Sequence, residues 1–278
     1  MNPLLARSYL FVPANRPERF AKACAAGADA VIIDLEDAVP PLEKAAARDH
    51  LAHWLSPANP VVIRINGAHT EWFADDVTLC AMPGVAGIML PKAETVDEIR
   101  MLGCTSAQRP VLPLIETALG MRHAELLAGA QQVQRLVFGT IDFQFELGLD
   151  GDGEELLFYR SQLVLASRLA GIQAPVDGVT TDIDNHAALL DATVYARRLG
   201  FGAKLCIHPR QLAPVHAGFA PTEAQLDWSR RVVQAAHQAD GAAIAVDGKM
   251  VDRPVILKAQ QMLMDAERRA HRNAVSAG

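Results

Sequence analysis

Two carboxylates are the first candidates for chemistry. Glu116 follows the apolar run VLPLI (111–115), and Asp142 lies in GTID, just past RLVFG (135–139). Neither has a His or Cys beside it. Together they make a hard-oxygen pair suited to Mg2+, completed by water and substrate oxygens. The plainer reading is two solvated loop acids. Arg64 sits inside the apolar run VVIRI (61–65). It can anchor a carboxylate or a developing enolate oxygen, or form an ion pair with Glu36 or Asp34. Both hold if the acid orients the guanidinium. Lys92, after GIMLP (87–91), can form a Schiff base, bind anionic substrate or stay solvated. Arg16, Arg19 and Lys22 open a helix and can hold phosphates near its positive end, or form an exposed basic face. His208 is either catalytic or a helix cap.

Several motifs fail on inspection. GLDGDGEE (148–155) resembles a calcium loop, but the bidentate acid position is Ser161, so a Gly-rich turn before a helix fits better. His50 and His53 have helical spacing without an acid partner and read as a surface face. There is no GxSxG and no HExxH.

The elements that must position these residues recur as a unit. A short apolar, β-branched run is followed by a turn and then an Ala/Leu-rich stretch. The runs are SYLFV (8–12), AVIID (30–34), VVIRI, GIMLP, VLPLI, RLVFG, PVDGV (175–179) and AKLCI (203–207). They are continuously apolar, which suits strands buried on both faces of a parallel sheet. Helical spacing appears over 17–27, 154–171 and 185–200, each stretch ending on glycine. Eight such units predict a (β/α)8 TIM barrel over 1–220. The alternative, an open doubly wound sheet, lacks its Gly-rich loop after the first strand. Function in such a barrel gathers at the carboxyl ends of the strands, where Glu36, Arg64, Lys92, Glu116 and Asp142 all fall. Residues 221–278 read as a C-terminal extension: a helix (222–241), an extended segment (242–252) turning at Asp247-Gly248, and a second helix (253–270). It must pack on the barrel or on a neighbouring subunit.

Composition narrows the classes. The chain has 278 residues, 50% of them apolar and 21% charged, with a net charge of −6. Disorder, collagen and coiled coil are excluded. An acidic chain with 5% aromatics has neither the basic face nor the stacking platform of a nucleic-acid binder. No apolar run reaches the ~20 residues that span a membrane. The start reads as mature protein rather than a signal peptide. Cys24, Cys80, Cys104 and Cys206 show neither CxxC nor zinc spacing, which suits buried thiols in the cytoplasm.

At these residues the sequence resembles the citrate lyase beta-subunit-like family. The stretches that carry the likeness are SYLFVPANRPERFAKA, GADAVIIDLEDAVPPLEKAAAR, VVIRINGAHT, GIMLPKAE, LIETALG, FGTIDFQFELG, PVDGVTTDI, CIHPRQL and GKMVDRPVILKAQ, in order over nearly the whole chain. The resemblance implies a (β/α)8 barrel, bound Mg2+ and cleavage or formation of a carbon–carbon bond in a 3-hydroxyacyl thioester. It makes Glu116 and Asp142 the metal ligands and Arg64 the substrate-binding arginine. Asp252 of GKMVD becomes an acid supplied by a neighbouring subunit, which implies a homotrimer or higher homo-oligomer. Two positions depart from the family pattern: Ile141, often acidic, and Glu146, often aspartate. They bear on substrate identity more than on metal binding.

The mechanism expected on this basis cleaves a malyl-, citramalyl- or citryl-CoA thioester to acetyl-CoA and a 2-oxo acid. Arg64 stabilises the enolate, Asp252 protonates it, and Glu36 or a metal-bound water takes the hydroxyl proton. Lys92 and Arg16 join Arg64 and Glu116 as substrate-binding candidates. Three competing readings stand beside it. One is malate-synthase-like or thioesterase action on the same thioesters. Another is a lyase subunit whose substrate rides on an acyl carrier protein, and the third is a binding barrel without catalysis.

Overall fold

The computed structural model describes residues 6–103, 109–238 and 244–276. Eight parallel strands close into a barrel in sequence order, β8 pairing back onto β1. They are β1 (Ser8–Pro13), β2 (Ala30–Asp34), β3 (Val61–Arg64), β4 (Val85–Leu90), β5 (Val111–Ile115), β6 (Val137–Phe138), β7 (Val176–Asp177) and β8 (Ala203–Cys206). The helices between them are α1 (Phe20–Cys24), α2 (Lys44–Trp54), α3 (Phe73–Leu79), α4 (Val96–Gly103), α5 (Ala118–Arg122), α6 (Ala124–Ala128), α7 (Thr140–Leu147), α8 (Leu157–Leu169), α9 (His186–Leu199) and α10 (Leu212–Phe219). The (β/α)8 barrel read from the eightfold unit is therefore the fold.

Side chains of a strand alternate between its two faces, and the apolar residues divide accordingly. Tyr9, Ile32, Val62, Met89, Leu112, Leu114, Val137, Val176 and Leu205 fill the barrel interior. Leu10, Ile33, Ile63, Ile88, Ile115, Phe138 and Cys206 face the helices in a separate, larger layer. The same period puts Asp34 in line with Ile32, Arg64 with Val62 and Glu116 with Leu114. The interior column thus changes from apolar to charged at the carboxyl ends of the strands.

Two runs make shorter strands than their apolar patterns predict. In RLVFG only Val137–Phe138 is strand, and in PVDGV only Val176–Asp177. Backbone bonding continues outside these ladders, as Val176 N–H donates to Leu136 C=O (2.9 Å) and Gly139 N–H to Ile115 C=O (3.0 Å). Arg135 explains part of this. It is buried at the start of its run and donates to the carbonyls of Ala6 (2.7 Å) and Ala174 (2.6 Å). The helix expected over 17–27 is also smaller. A 3-10 turn at Pro17–Arg19 leads into the five residues of α1. A helix this short presents little dipole to a phosphate.

Residues Met1–Phe219 and Ala220–Gly278 form two compact units. The second contains α11 (Glu223–Gln238), a hairpin of β9 (Ile244–Val246) and β10 (Lys249–Val251), and α12 (Arg253–Ser276). The hairpin turns through Asp247 and Gly248, both at positive φ (51° and 74°), the geometry that Asp-Gly adopts readily. Val232, Val246, Val251 and Ala259 form its small core. A helical C-terminal extension is therefore present, and α12 runs past the predicted end at 270. The stretch 239–243 and Cys104 lie outside the described residues. Cys24, Cys80 and Cys206 are free thiols. Among the described residues no helix is long and apolar enough to cross a membrane.

A buried ion trio ties the sheet to its helix layer. Asp177 accepts from Lys204 Nζ (2.8 Å) and Arg160 Nε (2.9 Å), and Arg160 also reaches Asp152 (2.6 Å). Burial works against the Asp177 charge, but Lys204 and Arg160 outweigh it and hold the carboxyl below the usual aspartate range. The trio's contribution is complete above the unfolded value of about 3.9 and is lost as pH falls through the lower folded value. Asp177→Asn leaves a buried lysine short of its anion and should cost about 3–5 kcal/mol in urea unfolding at neutral pH. A loss of no more than ~1 kcal/mol, typical of an exposed pair, would contradict this account.

Candidate active site at the barrel mouth

Asp34 and Arg64 are cross-strand partners at the ends of β2 and β3. Their side chains meet as a fork: Arg64 Nε donates to Asp34 Oδ1 (2.7 Å) and Nη2 to Oδ2 (2.6 Å). Arg64 Nη1 lies 3.0 Å from Glu36 Oε2, and the guanidinium stacks 4.8 Å from the Phe11 ring centroid. Burial disfavours the Arg64 charge, but Asp34, Glu36 and Glu116 overcome it and raise its pKa further. The residue is a fixed cation. The ion-pair and anchor readings of Arg64 thus describe one arrangement, in which the acids orient the guanidinium.

The loop that carries Glu36 is fixed from below. Asp34 accepts from the N–H groups of Glu36 (2.9 Å) and Ala38 (3.2 Å). Lys44 is buried and donates Nζ to the carbonyls of Leu35 (2.8 Å) and Glu36 (2.9 Å). Asn66 adds a bond to Leu35 C=O (3.1 Å), and Asp76 holds Asn66 in turn. Lys44 and Asp76 escaped the sequence reading, because a lysine in PLEKAAAR has the look of an exposed helix face.

Glu116 stands on the next charged strand end, 2% exposed. Lys92 N–H donates to its Oε1 (2.8 Å) from a left-handed backbone (φ 48°), unusual for lysine. Lys92 Nζ turns the other way and binds Glu36 Oε1 (2.8 Å). Gly139, at the end of β6, makes room for the Glu116 carboxylate. A Cβ there would lie 2.5 Å from Glu116 Cβ and Oε2. Asp142 occupies the first turn of α7, where its charge acts on Glu116. Burial first, then the Glu36 and Asp142 charges, push the Glu116 carboxyl up to about 8. Burial likewise raises Glu36, against the pull of Arg64 and Lys92.

The mouth therefore brings together Asp34, Glu36, Glu116 and Asp142 against two cations, Arg64 and Lys92. This surplus of oxygen donors suits a hard divalent cation. Glu36 Oε2 is also buried, and its one close partner, Arg64 Nη1, makes no well-aligned hydrogen bond to it.

The remaining candidates have partners of their own. Arg16 is exposed at the end of β1 and pairs with Glu18 (2.7 Å). Asp252 belongs to the second unit, where it opens α12 and accepts from Val255 N–H (3.4 Å). His208 proves to be a cap: it accepts from Arg210 N–H (3.1 Å) in a reciprocal box with Gln211. His50 and His53 are exposed on α2, and GLDGDGEE forms the turn before α8. Ile141 is half exposed, and Glu146 accepts from Ala118 N–H (3.2 Å).

The family model described as HpcH/HpaI aldolase/citrate lyase matches residues 7–209, across all eight barrel strands. The chain belongs to that family. A citrate lyase subunit beta-like protein of Deinococcus radiodurans is 37% identical, over 94% of this chain and 97% of that protein. A (3S)-malyl-CoA thioesterase of Cereibacter sphaeroides is 33% identical, over 94% of both chains. Among solved structures, CitE of Mycobacterium tuberculosis in complex with magnesium, acetoacetate and coenzyme A superposes with a TM-score of 0.85. The identity there is 36%, and 95% of this chain and 98% of that one are covered. As a member of the aldolase/citrate lyase family, this chain is an enzyme of the lyase class.

The crowding at Gly139 is testable. Gly139→Ala must displace the Glu116 carboxylate and should destabilise the protein by about 1–3 kcal/mol in thermal or urea unfolding. Unchanged stability would mean that the carboxylate has room to spare.

Proposed function

We propose that this chain is a Mg2+-dependent carbon–carbon lyase acting on a 3-hydroxyacyl-CoA thioester of the malyl, citramalyl or citryl type. The products are acetyl-CoA and a 2-oxo acid. The observation that carries this reading is the clustering of Glu116 and Asp142 beside a buried guanidinium locked by Asp34. Glu116 and Asp142 would hold the cation, which when bound supplies Lewis acidity toward the substrate's hydroxyl and carboxylate oxygens.

The protein's own groups do the rest. Glu36 is buried, its Oε2 faces Arg64 Nη1 at 3.0 Å without a well-aligned hydrogen bond, and burial raises its pKa, which suits a base for the 3-hydroxyl proton. As that proton leaves, the C2–C3 bond breaks and its electron pair passes to the thioester as an enolate. The Asp34 fork occupies Nε and one Nη2 donor and fixes the guanidinium plane, so the remaining Nη N–H groups stabilise the enolate oxygen without reorganising. Asp252 delivers a proton to C2 and completes acetyl-CoA. Lys92 and Arg16 serve the anionic parts of the substrate.

Asp252 acts from a neighbouring subunit in this proposal, within a homotrimer or larger homo-oligomer in the cytoplasm. The thioesterase alternative is supported by the 33% identity to a malyl-CoA thioesterase. In it, water attacks the thioester carbonyl and free CoA appears.

Three measurements test the proposal. Cleavage of malyl-, citramalyl- and citryl-CoA should stop on EDTA treatment and return with Mg2+; full activity after metal removal would reject the metal role. Accumulation of free CoA would select the thioesterase, and turnover confined to carrier-protein thioesters would select the carrier-bound substrate. Arg64→Lys keeps the charge but loses the fork and should lower kcat by about 10²–10³-fold. Mixing inactive Asp252→Ala with inactive Arg64→Lys subunits should restore part of the activity, whereas a mixture as inactive as its components would place the whole site in one chain.

A further inference from the structure

Among the described residues, one group of side chains has a metal-site composition that the lyase reading does not use. His69 lies in the loop between β3 and α3, and Glu94 and Glu98 lie at the start of α4 after β4. One ligand atom from each falls within 4.8 Å of the others. We propose that His69, Glu94 and Glu98 bind a borderline divalent cation of the zinc class, at a site separate from the Glu116–Asp142 pair.

Glu98 supplies the independent reason. Its side chain is only 5% exposed. Oε2 is fully engaged, accepting from the N–H groups of Glu94 (2.8 Å) and Thr95 (3.1 Å) at the start of α4. That bonding aims Oε1 at the cluster, where it is buried and accepts no hydrogen bond. Nε2 of His69 stands 3.1 Å away. A carboxylate oxygen stripped of water, with no well-aligned hydrogen bond and only an imidazole 3.1 Å away, is costly to bury, and a cation removes that cost.

The donor set decides which cation. One imidazole nitrogen with two carboxylate oxygens favours Zn2+ or Co2+ over Mg2+, which prefers oxygen and keeps its water. Tetrahedral zinc with bonds of about 2.0–2.2 Å sets its ligands about 3.5 Å apart. The closure required is small and falls on the least buried partner, since the His69 side chain is 83% exposed. Glu94 is steadied from behind, its carbonyl 2.8 Å from His123 Nδ1. With three protein ligands and an exposed imidazole, the fourth position is open to water or an anionic oxygen. The ion would clip the β3–α3 loop to the start of α4, on the rim that carries Arg64 and Lys92.

The test uses full-length protein carrying Glu116→Gln and Asp142→Asn, so that a failed lyase assignment cannot mimic failure here. After metal stripping, dialysis against Zn2+ with excess Mg2+ should leave an equimolar amount of Zn2+ bound. Co2+ in its place should give the intense visible absorption of a tetrahedral site. Adding His69→Ala, an exposed change that leaves the fold intact, should weaken Zn2+ binding by at least the ~10–100-fold that loss of an outer-shell partner costs. No retained Zn2+, or retention unaffected by His69→Ala, would overturn the proposal and leave a simple His69–Glu98 ion pair.

Discussion

The charge balance at the carboxyl end of the barrel constrains everything around it. Asp34, Glu36, Glu116 and Asp142 gather against Arg64 and Lys92, with Lys44 buried behind the Glu36 loop. Taking charges out of water costs several kcal/mol per ion unless partners are well placed. The barrel meets that demand with backbone as well as side chains. Lys92 adopts a left-handed conformation to turn its N–H toward Glu116, and Lys44 is buried to hold the Glu36 loop. Even so, burial first and then the neighbouring Glu36 and Asp142 charges push Glu116 up to about 8. A divalent cation is the simplest remedy.

Period-two alternation links this chemistry to the fold. Ile32 and Asp34, Val62 and Arg64, Leu114 and Glu116 share the interior face of their strands. The residues that close the apolar core are thus one step below those that open the polar mouth. Moving any of these strands by one residue would bury its apolar partner's neighbour and turn the charge toward the helices. Asp177 and Lys204 show the opposite phase, with their charges in the helix layer, where Arg160 completes the set.

Much of this was legible in the chain. Eight continuous apolar runs announce a parallel sheet, and counting them announces a barrel. Glu116 and Asp142 are flagged by their place at the carboxyl ends of neighbouring barrel strands, where function gathers, and Arg64 by being an arginine inside an apolar run. What escaped has physical reasons. RLVFG has a strand's composition, yet Arg135 anchors its start among backbone carbonyls, and only two residues join the ladder. PERFAKACAAG has good helix ends, but a 3-10 turn takes its first residues. Lys44 and Asp76 work through tertiary contacts that no spacing records. The Glu98 carboxylate is likewise engaged by a local cap, and only its second oxygen, seen in three dimensions, points to His69.

The central claim is that a cation sits between Glu116 and Asp142, within reach of the Arg64 donors. A crystal soaked with Mn2+ and a 2-oxo acid tests it most directly. The account predicts an anomalous peak bridging those two carboxylates, with the oxo acid on the ion and against the guanidinium. A mouth without that peak, with the oxo acid bound by Arg64 alone or elsewhere, would contradict it.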